Sequence, residues 1–373
     1  MQTEPASGKE SLHSAPRQSN LELLRILAMA LIVAGHFCAH SGYDFPAEQY
    51  SFNRLWVEFF AIGGNISVNI FVLLSGYFRI GARGLHTAKL IRLWLQLFFY
   101  SLVIYFVFVL TGKAPLSFGE IIRRALPVSF RQWWFASCFF VMTLFVPYLN
   151  RLLKSLNRKQ YLGLLLLTGF CWSLLPTLTG QLFESNQLLW FMFLYSLAGY
   201  LRLYGLKTRL TGGKLIALSA LCAAAAFAST VLLGMLGMKY PYLLEKRFYF
   251  YEIYRLPLLA VSLLLFAGFL RIQVRPNRLI NTVASAMFGV YLIHDHPYVR
   301  YFLWLDLFHN MDHIADPLLF FLFLGEVSVI LAACTVIELL RIHLLERKYL
   351  PAVQRLAGAL DKRLEQKGLT SGL

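Results

Sequence analysis

Ten apolar runs follow one another along the chain, separated by short polar gaps. A run of about 17 to 25 apolar residues crosses the hydrocarbon core of a bilayer as one helix, because a helix satisfies its own backbone hydrogen bonds where water is absent. The sequence therefore predicts an all-α, polytopic integral membrane protein with about ten transmembrane helices. The predicted spans are residues 20–38, 63–80, 88–111, 132–150, 161–178, 186–205, 214–236, 250–270, 283–301 and 316–341.

Composition supports this class and sets the domain organisation. Of the 373 residues, 58% are hydrophobic and only 14% are charged, which excludes an ordinary soluble domain. No linker is long enough to separate two folding units, so we predict one transmembrane domain over residues 20–341, between tails at residues 1–19 and 342–373. The first run carries charged residues and lacks a small-residue cleavage site, which favours a retained span over a signal peptide.

The distribution of Lys and Arg predicts the orientation. With the N-terminus in the cytoplasm, 24 of the 35 basic residues fall in cytoplasmic segments, ten fall outside, and Arg25 falls within a span. This bias follows the positive-inside rule and predicts both tails in the cytoplasm. The same bias accounts for the net charge of +16. The predicted partner of the basic residues is therefore membrane lipid and not nucleic acid. Three arginines are exceptions to this bias, because they lie on the predicted outer side: Arg123, Arg124 and Arg131. An anionic partner on that side is an alternative explanation for them.

Arg25 and His36 are ionisable residues inside the first predicted span. Eleven residues at 100° each come within about 20° of three full turns, so the two side chains share one face of the helix, separated by roughly 16 Å of rise. A charged residue in a span is costly unless it faces a partner or a water-filled cavity, which makes both residues functional candidates. The alternative is structural, with an arginine extending to the interface and a histidine at the helix end.

Five segments in chain order share a pattern with one group of membrane enzymes. They are "RILAMALIVAGH", "FVLLSGYF", "KLIRLWLQLFF", "QWWFASCFFVMTLFVPYLN" and "SAMFGVYLIH". Together they resemble the acyltransferase-3 family of bacterial membrane O-acyltransferases, over about residues 20–341. The Glu-Leu-Leu-Arg sequence that ends at Arg25 resembles the branch that includes the O-acetyltransferase of the enterobacterial common antigen.

The resemblance implies transfer of an acyl group, usually acetyl from acetyl-CoA, to a hydroxyl of a cell-surface polysaccharide or its lipid-linked precursor at the bacterial cytoplasmic membrane. His36 would be catalytic, either as the base that takes the proton of the sugar hydroxyl or as a covalent carrier of the acyl group. The sequence is compatible with both routes. Arg25, Lys89 and Arg92 would bind the phosphates of acyl-CoA on the cytoplasmic side. For Lys89 and Arg92, ordinary positive-inside bias is an equal alternative.

The segment "IHDHP" near the end of the ninth predicted span raises the question of a metal site. In a helix, His294 and His296 point about 200° apart and do not chelate one ion unless Pro297 breaks the helix. The five cysteines are odd in number and form no C-x-x-C pair. We therefore predict no metal. His294 is expected to line the same substrate cavity as His36, with a helix-end histidine at the interface as the alternative, and Asp295 is a candidate to orient either histidine.

The main alternative function is a transporter or flippase of glycans or lipid-linked intermediates, since buried charge among ten spans also suits a translocation path. Transporters often show internal repeats and helices interrupted at matching positions, and the sequence has neither. Trp133 and Trp134 are predicted as interfacial aromatic residues, with stacking against a glycan as the alternative. The sequence leaves the acceptor sugar and the length of the acyl chain open.

Overall fold

The computed structural model describes residues 18–46, 49–82, 84 and 87–366, and every regular element within these ranges is helical. The α-helices are α1 (Ser19–His40), α2 (Phe52–Phe60), α3 (Gly63–Arg79), α4 (Thr87–Leu110), α5 (Phe118–Ala125), α6 (Trp134–Ser155), α7 (Arg158–Gly169), α8 (Leu175–Thr179), α9 (Gln187–Tyr204), α10 (Gly212–Gly237), α11 (Pro241–Leu244), α12 (Leu256–Arg271), α13 (Arg278–His294), α14 (Pro297–Tyr301), α15 (Leu319–Arg341) and α16 (Arg347–Gln366). Short π-helical segments lie at Phe170–Leu174, Phe302–Leu307 and Ile342–Glu346, and 3₁₀ turns lie at Tyr249–Tyr251 and Asn310–His313.

Within the described ranges, eight helical stretches are long and apolar enough to cross a membrane. They contain α1, α2 with α3, α4, α6, α7 with α8, α10, α11 with α12, and α15 with α16. The other two predicted spans overlap α9 and α13, which are helices of 18 and 17 residues. The protein is therefore an all-helical, multi-pass membrane protein, while the count of ten spans and the cytoplasmic position of both ends stay predictions.

The ninth predicted span, residues 283–301, is wrong at both ends. Helix α13 begins at Arg278 and ends at His294, and a new short helix begins at Pro297. Proline lacks the N–H that would continue the hydrogen-bond ladder, and its ring collides with the preceding turn. The chain therefore turns at Asp295 and His296, which frees these side chains from the helical directions assumed from sequence.

Helix α1 lies at the centre of the bundle. Its Leu21, Leu24, Val33 and Phe37 are fully buried, and the helix packs against α3, α13 and α15. In the most apolar stretch of α1, 56% is buried, compared with 22% for α4 and for α10 and 17% for α7 with α8. The last three stretches therefore lie mostly on the outside of the bundle. Arg25 and His36 therefore lie on a helix that is largely surrounded by protein.

Glycines allow α1 and α3 to approach closely beside His36. A Cβ atom on Gly35 would lie 2.9 Å from the backbone nitrogen of Gly64, which is closer than nonbonded atoms approach. Small residues at helix crossings in membranes allow this kind of backbone contact. Filling this crossing would push α3 away from the histidine.

The chain beyond residue 341 continues as helix instead of ending as an irregular tail. The π-helical segment at Ile342–Glu346 leads into α16, which packs against α4 and accepts a hydrogen bond from Thr87 at Asp361. Helix α16 continues through residues 362–366 of the predicted C-terminal tail. Residues 367–373 and 1–17 lie outside the described ranges.

Candidate active site

Helices α1 and α13 bring His36 and His294 together. His36 Nδ1 lies 2.9 Å from His294 Nε2, across 258 positions of sequence. On the other side of its ring, His294 Nδ1 lies 2.6 Å from the carbonyl oxygen of Val290, one turn earlier in α13. His294 is only 1% exposed and does not line the cavity that His36 lines, so it meets that cavity only through its contact with His36.

These contacts determine which nitrogen of His36 is available for chemistry. A carbonyl oxygen only accepts, so His294 Nδ1 carries a proton, and in the neutral ring Nε2 is then an acceptor. His36 Nδ1 must therefore donate to His294 Nε2, which leaves the lone pair of His36 on its own Nε2. This assignment follows from the hydrogen-bond network. Neutral His36 is thus a base whose accepting atom is Nε2.

Asp295 places a carboxylate beside the histidine pair. Its Oδ1 lies 3.5 Å from His36 Nδ1 and accepts a hydrogen bond from Arg300 Nε at 2.8 Å, and Arg300 Nη2 lies 2.8 Å from the same oxygen as an ion pair. When His36 Nε2 takes a proton, the ring becomes a cation, which a carboxylate at this distance stabilises. The fork of the guanidinium holds that carboxylate in position. The break before Pro297 is what allows Asp295 to face α1.

His36 lines a cavity of about 240 Å³, which we call the His36 cavity. Its walls come from α1, α3, α6 and α13, and besides the histidine they carry the polar side chains of Asn65, Trp134 and Tyr291. Tyr291 is 4% exposed, and its hydroxyl meets no hydrogen-bond partner in good geometry within the described ranges, although Asp295 is a near neighbour. Tyr291 therefore presents a hydroxyl group at the cavity wall that is able to donate to a ligand oxygen.

The two adjacent tryptophans have different environments. Trp134 is 37% exposed and lines the His36 cavity. Trp133 is 1% exposed and packs its ring against that of His296, with centroids 5.5 Å apart. The prediction of an interfacial position is therefore wrong for Trp133, which lies inside the protein.

Within the part of the chain that the structure describes, one set of three side chains has the types and spacing of metal ligands. It comprises His36, His40 and Asp295, whose ligand atoms lie within 4.8 Å of one another. The sequence had suggested only the two histidines that flank Asp295 as ligands. The one carboxylate of the set is already paired with Arg300. The absence of a metal stays a prediction.

Arg25 lines a second cavity, of about 300 Å³, which we call the Arg25 cavity. Its Nη1 donates to Glu22 Oε2 at 2.6 Å. A second guanidinium, that of Arg79 at the end of α3, lines the same cavity and donates to Thr143 Oγ1 at 3.1 Å. Two guanidinium groups converging on a partly enclosed space favour an anionic ligand.

Phe135 separates the two cavities. This residue is 6% exposed and lines both the His36 cavity and the Arg25 cavity. Its ring centroid lies 6.2 Å from that of Phe71, 5.8 Å from that of Phe139 and 5.8 Å from that of Tyr291. Arg25 and His36 thus face two compartments that share an aromatic wall.

Lys89 and Arg92 line neither of these two cavities. Lys89 is exposed, and Arg92 Nη2 lies 2.5 Å from Glu346 Oε1. Their neighbour Leu93 is the residue of α4 that reaches the Arg25 cavity. A role for Lys89 and Arg92 in binding donor phosphates stays a prediction.

A family model described as an acyltransferase domain matches residues 18–337. The chain belongs to the acyltransferase-3 family. The resemblance of the five segments is thereby confirmed at the level of the family, and the protein is a multi-pass membrane acyltransferase. No curated protein and no solved structure matches this acyltransferase.

Three residues near the acyltransferase site were missed in the sequence. Arg79 counted only toward the charge bias, because nothing in its neighbours indicates that it turns into a cavity. Tyr291 had a usable signal, since it lies three residues before His294 and side chains three apart share a helix face. No sequence signal pointed to Arg300, because its pairing with Asp295 depends on the helix break at Pro297.

Proposed function

We propose that the protein transfers an acyl group, most simply acetyl, from acyl-CoA to a hydroxyl of a cell-surface polysaccharide or its lipid-linked precursor. The proposal places it in the cytoplasmic membrane of a bacterium, in the branch of the family that includes the O-acetyltransferase of the enterobacterial common antigen. The observation that carries it is the His36–His294 pair, which presents one unprotonated ring nitrogen to a buried cavity.

The chemistry needs one base at the acceptor. As the sugar oxygen attacks the thioester carbonyl carbon, His36 Nε2 takes the hydroxyl proton, the new C–O bond forms, and the C–S bond breaks. The same nitrogen then protonates the departing thiolate. Alternatively, Nε2 attacks the thioester carbonyl first and the C–S bond breaks to release the thiolate; the sugar oxygen then takes the acyl group from Nε2, and its hydroxyl proton passes to the thiolate. Asp295 stabilises the charged ring in either route, because both leave a positive imidazolium beside it.

The proposed donor has the right length for the two compartments. With its phosphates at Arg25 and Arg79, the pantetheine arm must reach His36, which lies 11 residues or roughly 16 Å further along α1. The arm has about a dozen bonds between the phosphate ester and the sulfur, and an extended chain of that size spans roughly 14 Å. The flexible arginine side chains cover the remaining distance between the phosphates and the helix.

The proposed acceptor site is the His36 cavity. Trp134 offers an aromatic face of the kind that packs against sugar rings, and Asn65 and Tyr291 offer polar groups beside it. A transporter or flippase is not favoured, because the chain belongs to an acyltransferase family.

Replacement of His36 tests the proposal directly. In cells that lack the native gene, His36→Ala should lower the O-acyl content of the glycan by about 10²-fold to 10⁴-fold, the usual contribution of a positioned base. Membrane levels of the variant should equal those of wild type. Near wild-type acylation by this variant would end the proposal.

Donor binding has a separate test at Arg25. A charged hydrogen bond to phosphate is worth about 1.5 to 3 kcal/mol, or roughly 10-fold to 150-fold in affinity. Arg25→Ala should lose acetyl-CoA affinity by that factor, and Arg25→Lys by less, because the ammonium keeps the charge but not the fork. Arg151→Ala, which removes an exposed arginine outside both cavities, is the control. Unchanged affinity in Arg25→Ala would reassign the residue to structure.

A further inference from the structure

A third cavity lies at the end of the bundle where α1 begins, and we call it the Arg278 pocket. It has a volume of about 400 Å³, within the usual range for small-molecule sites. Arg278 begins α13 and Arg347 begins α16, so the pocket lies between two helix starts. Hydrogen bonds between Ser19 and the Asn277–Asn281 turn hold the start of α13 against the start of α1.

Two arginines give this pocket a positive charge that no described carboxylate neutralises. Arg278 and Arg347 are exposed, and neither forms an ion pair within the described ranges. The nearby carboxylates form ion pairs with other arginines. Glu338 pairs with Arg341, and Glu346 pairs with both Arg341 and Arg92. Unneutralised guanidinium groups at a pocket mouth select a phosphate or another anion.

The remaining walls suit more than a bare anion. Leu339 and Ile342 form an apolar side, while Thr282 and Ser285 carry hydroxyl groups along one face of α13. A ligand with phosphates, a flat apolar ring and polar edges matches this combination. An isolated inorganic phosphate would leave the apolar side unused.

The pocket adjoins the candidate active site through shared wall residues. Ser285 lines both the Arg278 pocket and the Arg25 cavity, just as Phe135 lines both the Arg25 cavity and the His36 cavity. The three cavities therefore form a row in which each shares a wall residue with the next. Along this row, the unneutralised arginines lie at one end and the reactive histidine lies at the other.

We infer that the Arg278 pocket binds the 3′-phosphorylated adenosine end of the acyl-CoA donor. This inference rests on the proposed function, because the acyl-CoA identity of the donor is part of that proposal. The nucleotide stays at the surface in the pocket, its diphosphate lies toward Arg25, and the pantetheine arm runs past Phe135 to His36. The basic residues of α4, expected from the sequence to bind these phosphates, are then peripheral.

Phospholipid headgroups share the phosphate chemistry and are the competing source. Basic residues at helix ends ordinarily face such headgroups. The two ligands differ in that only CoA carries a 3′-phosphate on a ribose and an adenine ring. The experiment is therefore built on fragments of CoA in a membrane without anionic lipid.

The test uses full-length protein in phosphatidylcholine nanodiscs, titrated with CoA, 3′-dephospho-CoA and 4′-phosphopantetheine. Arg278→Gln and Arg347→Gln should each weaken CoA binding by about 10-fold to 150-fold and leave 4′-phosphopantetheine binding unchanged. At least one variant should bind 3′-dephospho-CoA as well as wild type does, because the contact it lost was to the missing phosphate. Arg275→Gln and Arg355→Gln remove exposed arginines outside the pocket and should bind CoA like wild type.

The outcomes separate this inference from the proposed function. If wild type binds CoA and both pocket variants bind it equally well, the nucleotide assignment is overturned while the proposed function stands. The nucleotide assignment is also overturned if the variants lose only the stabilisation that phosphatidylglycerol gives in thermal melts, since the pocket would then hold a lipid headgroup. If wild type binds no CoA or phosphopantetheine, both the inference and the proposed donor fail.

Discussion

Replacing His294 with phenylalanine should reduce turnover without weakening substrate binding. His294 touches the reaction only through His36, whose Nδ1 proton it accepts at 2.9 Å. Without that acceptor, the Nδ1–H of His36 is buried with one weaker alternative, Asp295 Oδ1 at 3.5 Å. The ring then relieves the unpaired N–H by moving its proton to Nε2, and this inactive form cannot accept a proton from the acceptor.

The size of the effect follows from the energy of that one hydrogen bond. Leaving a buried donor unsatisfied costs about 1 to 3 kcal/mol, so the active form of His36 should become about 5-fold to 150-fold less populated. The nearby carboxylate keeps the loss toward the lower part of this range. His294→Gln restores an acceptor oxygen and should recover most of the rate.

The assay is release of free CoA thiol by purified protein, with kcat and KM for acetyl-CoA determined separately. His294→Phe should lower kcat with KM unchanged, since His294 does not line the Arg25 cavity. His296→Phe is the matched control, because it replaces an equally buried histidine that packs on Trp133 instead of on His36. A kcat for His294→Phe within about twofold of wild type, in a variant with unchanged thermal stability, would refute the assignment of the proton to Nδ1 of His36.

Three further predictions concern the cavity walls and the topology. Phe135→Ala should open the wall between the two cavities and raise the hydrolysis of acetyl-CoA in the absence of acceptor, and an unchanged rate of CoA release without acceptor would contradict it. Trp134→Ala should raise the apparent KM for the glycan by about 10-fold while Trp134→Phe raises it less, as expected for aromatic stacking; equal effects of the two, measured as acylation against glycan concentration, would argue against stacking. Reporter fusions after Arg158 and after Gly180 should report opposite sides of the membrane, because the intervening stretch is apolar and long enough to span it; the same side for both would remove that span.

The sequence was sufficient for the helical class because one physical rule governs it. Long apolar runs in lipid must be helices, and the observed bounds of α1, α3 and α4 differ from the predicted ones by at most two residues. The face shared by Arg25 and His36 was also predictable, because helical periodicity fixes it. The structure adds that the two residues open into separate cavities.

What the sequence did not reveal depends on contacts between distant helices. Arg92 pairs with Glu346, across the packing of the C-terminal region on α4, and no local pattern indicates that partner. The hydrogen bond between His36 and His294 likewise requires α13 to lie beside α1. Asp295 was recognised as a candidate, but its direction followed only from the point at which Pro297 stops the helix.

The shared wall at Phe135 also has an electrical consequence. A membrane holds a potential, and each elementary charge that crosses it releases about 2.3 kcal/mol per 100 mV. If the three cavities were filled with water and joined end to end, they would be a leak for protons, with His36 and Arg25 along its sides. Under the proposed function, the ring of Phe135 would block such a water column and would have to move aside for the slender, uncharged arm of the donor. In that case Phe135 would insulate the membrane as well as shape the active site.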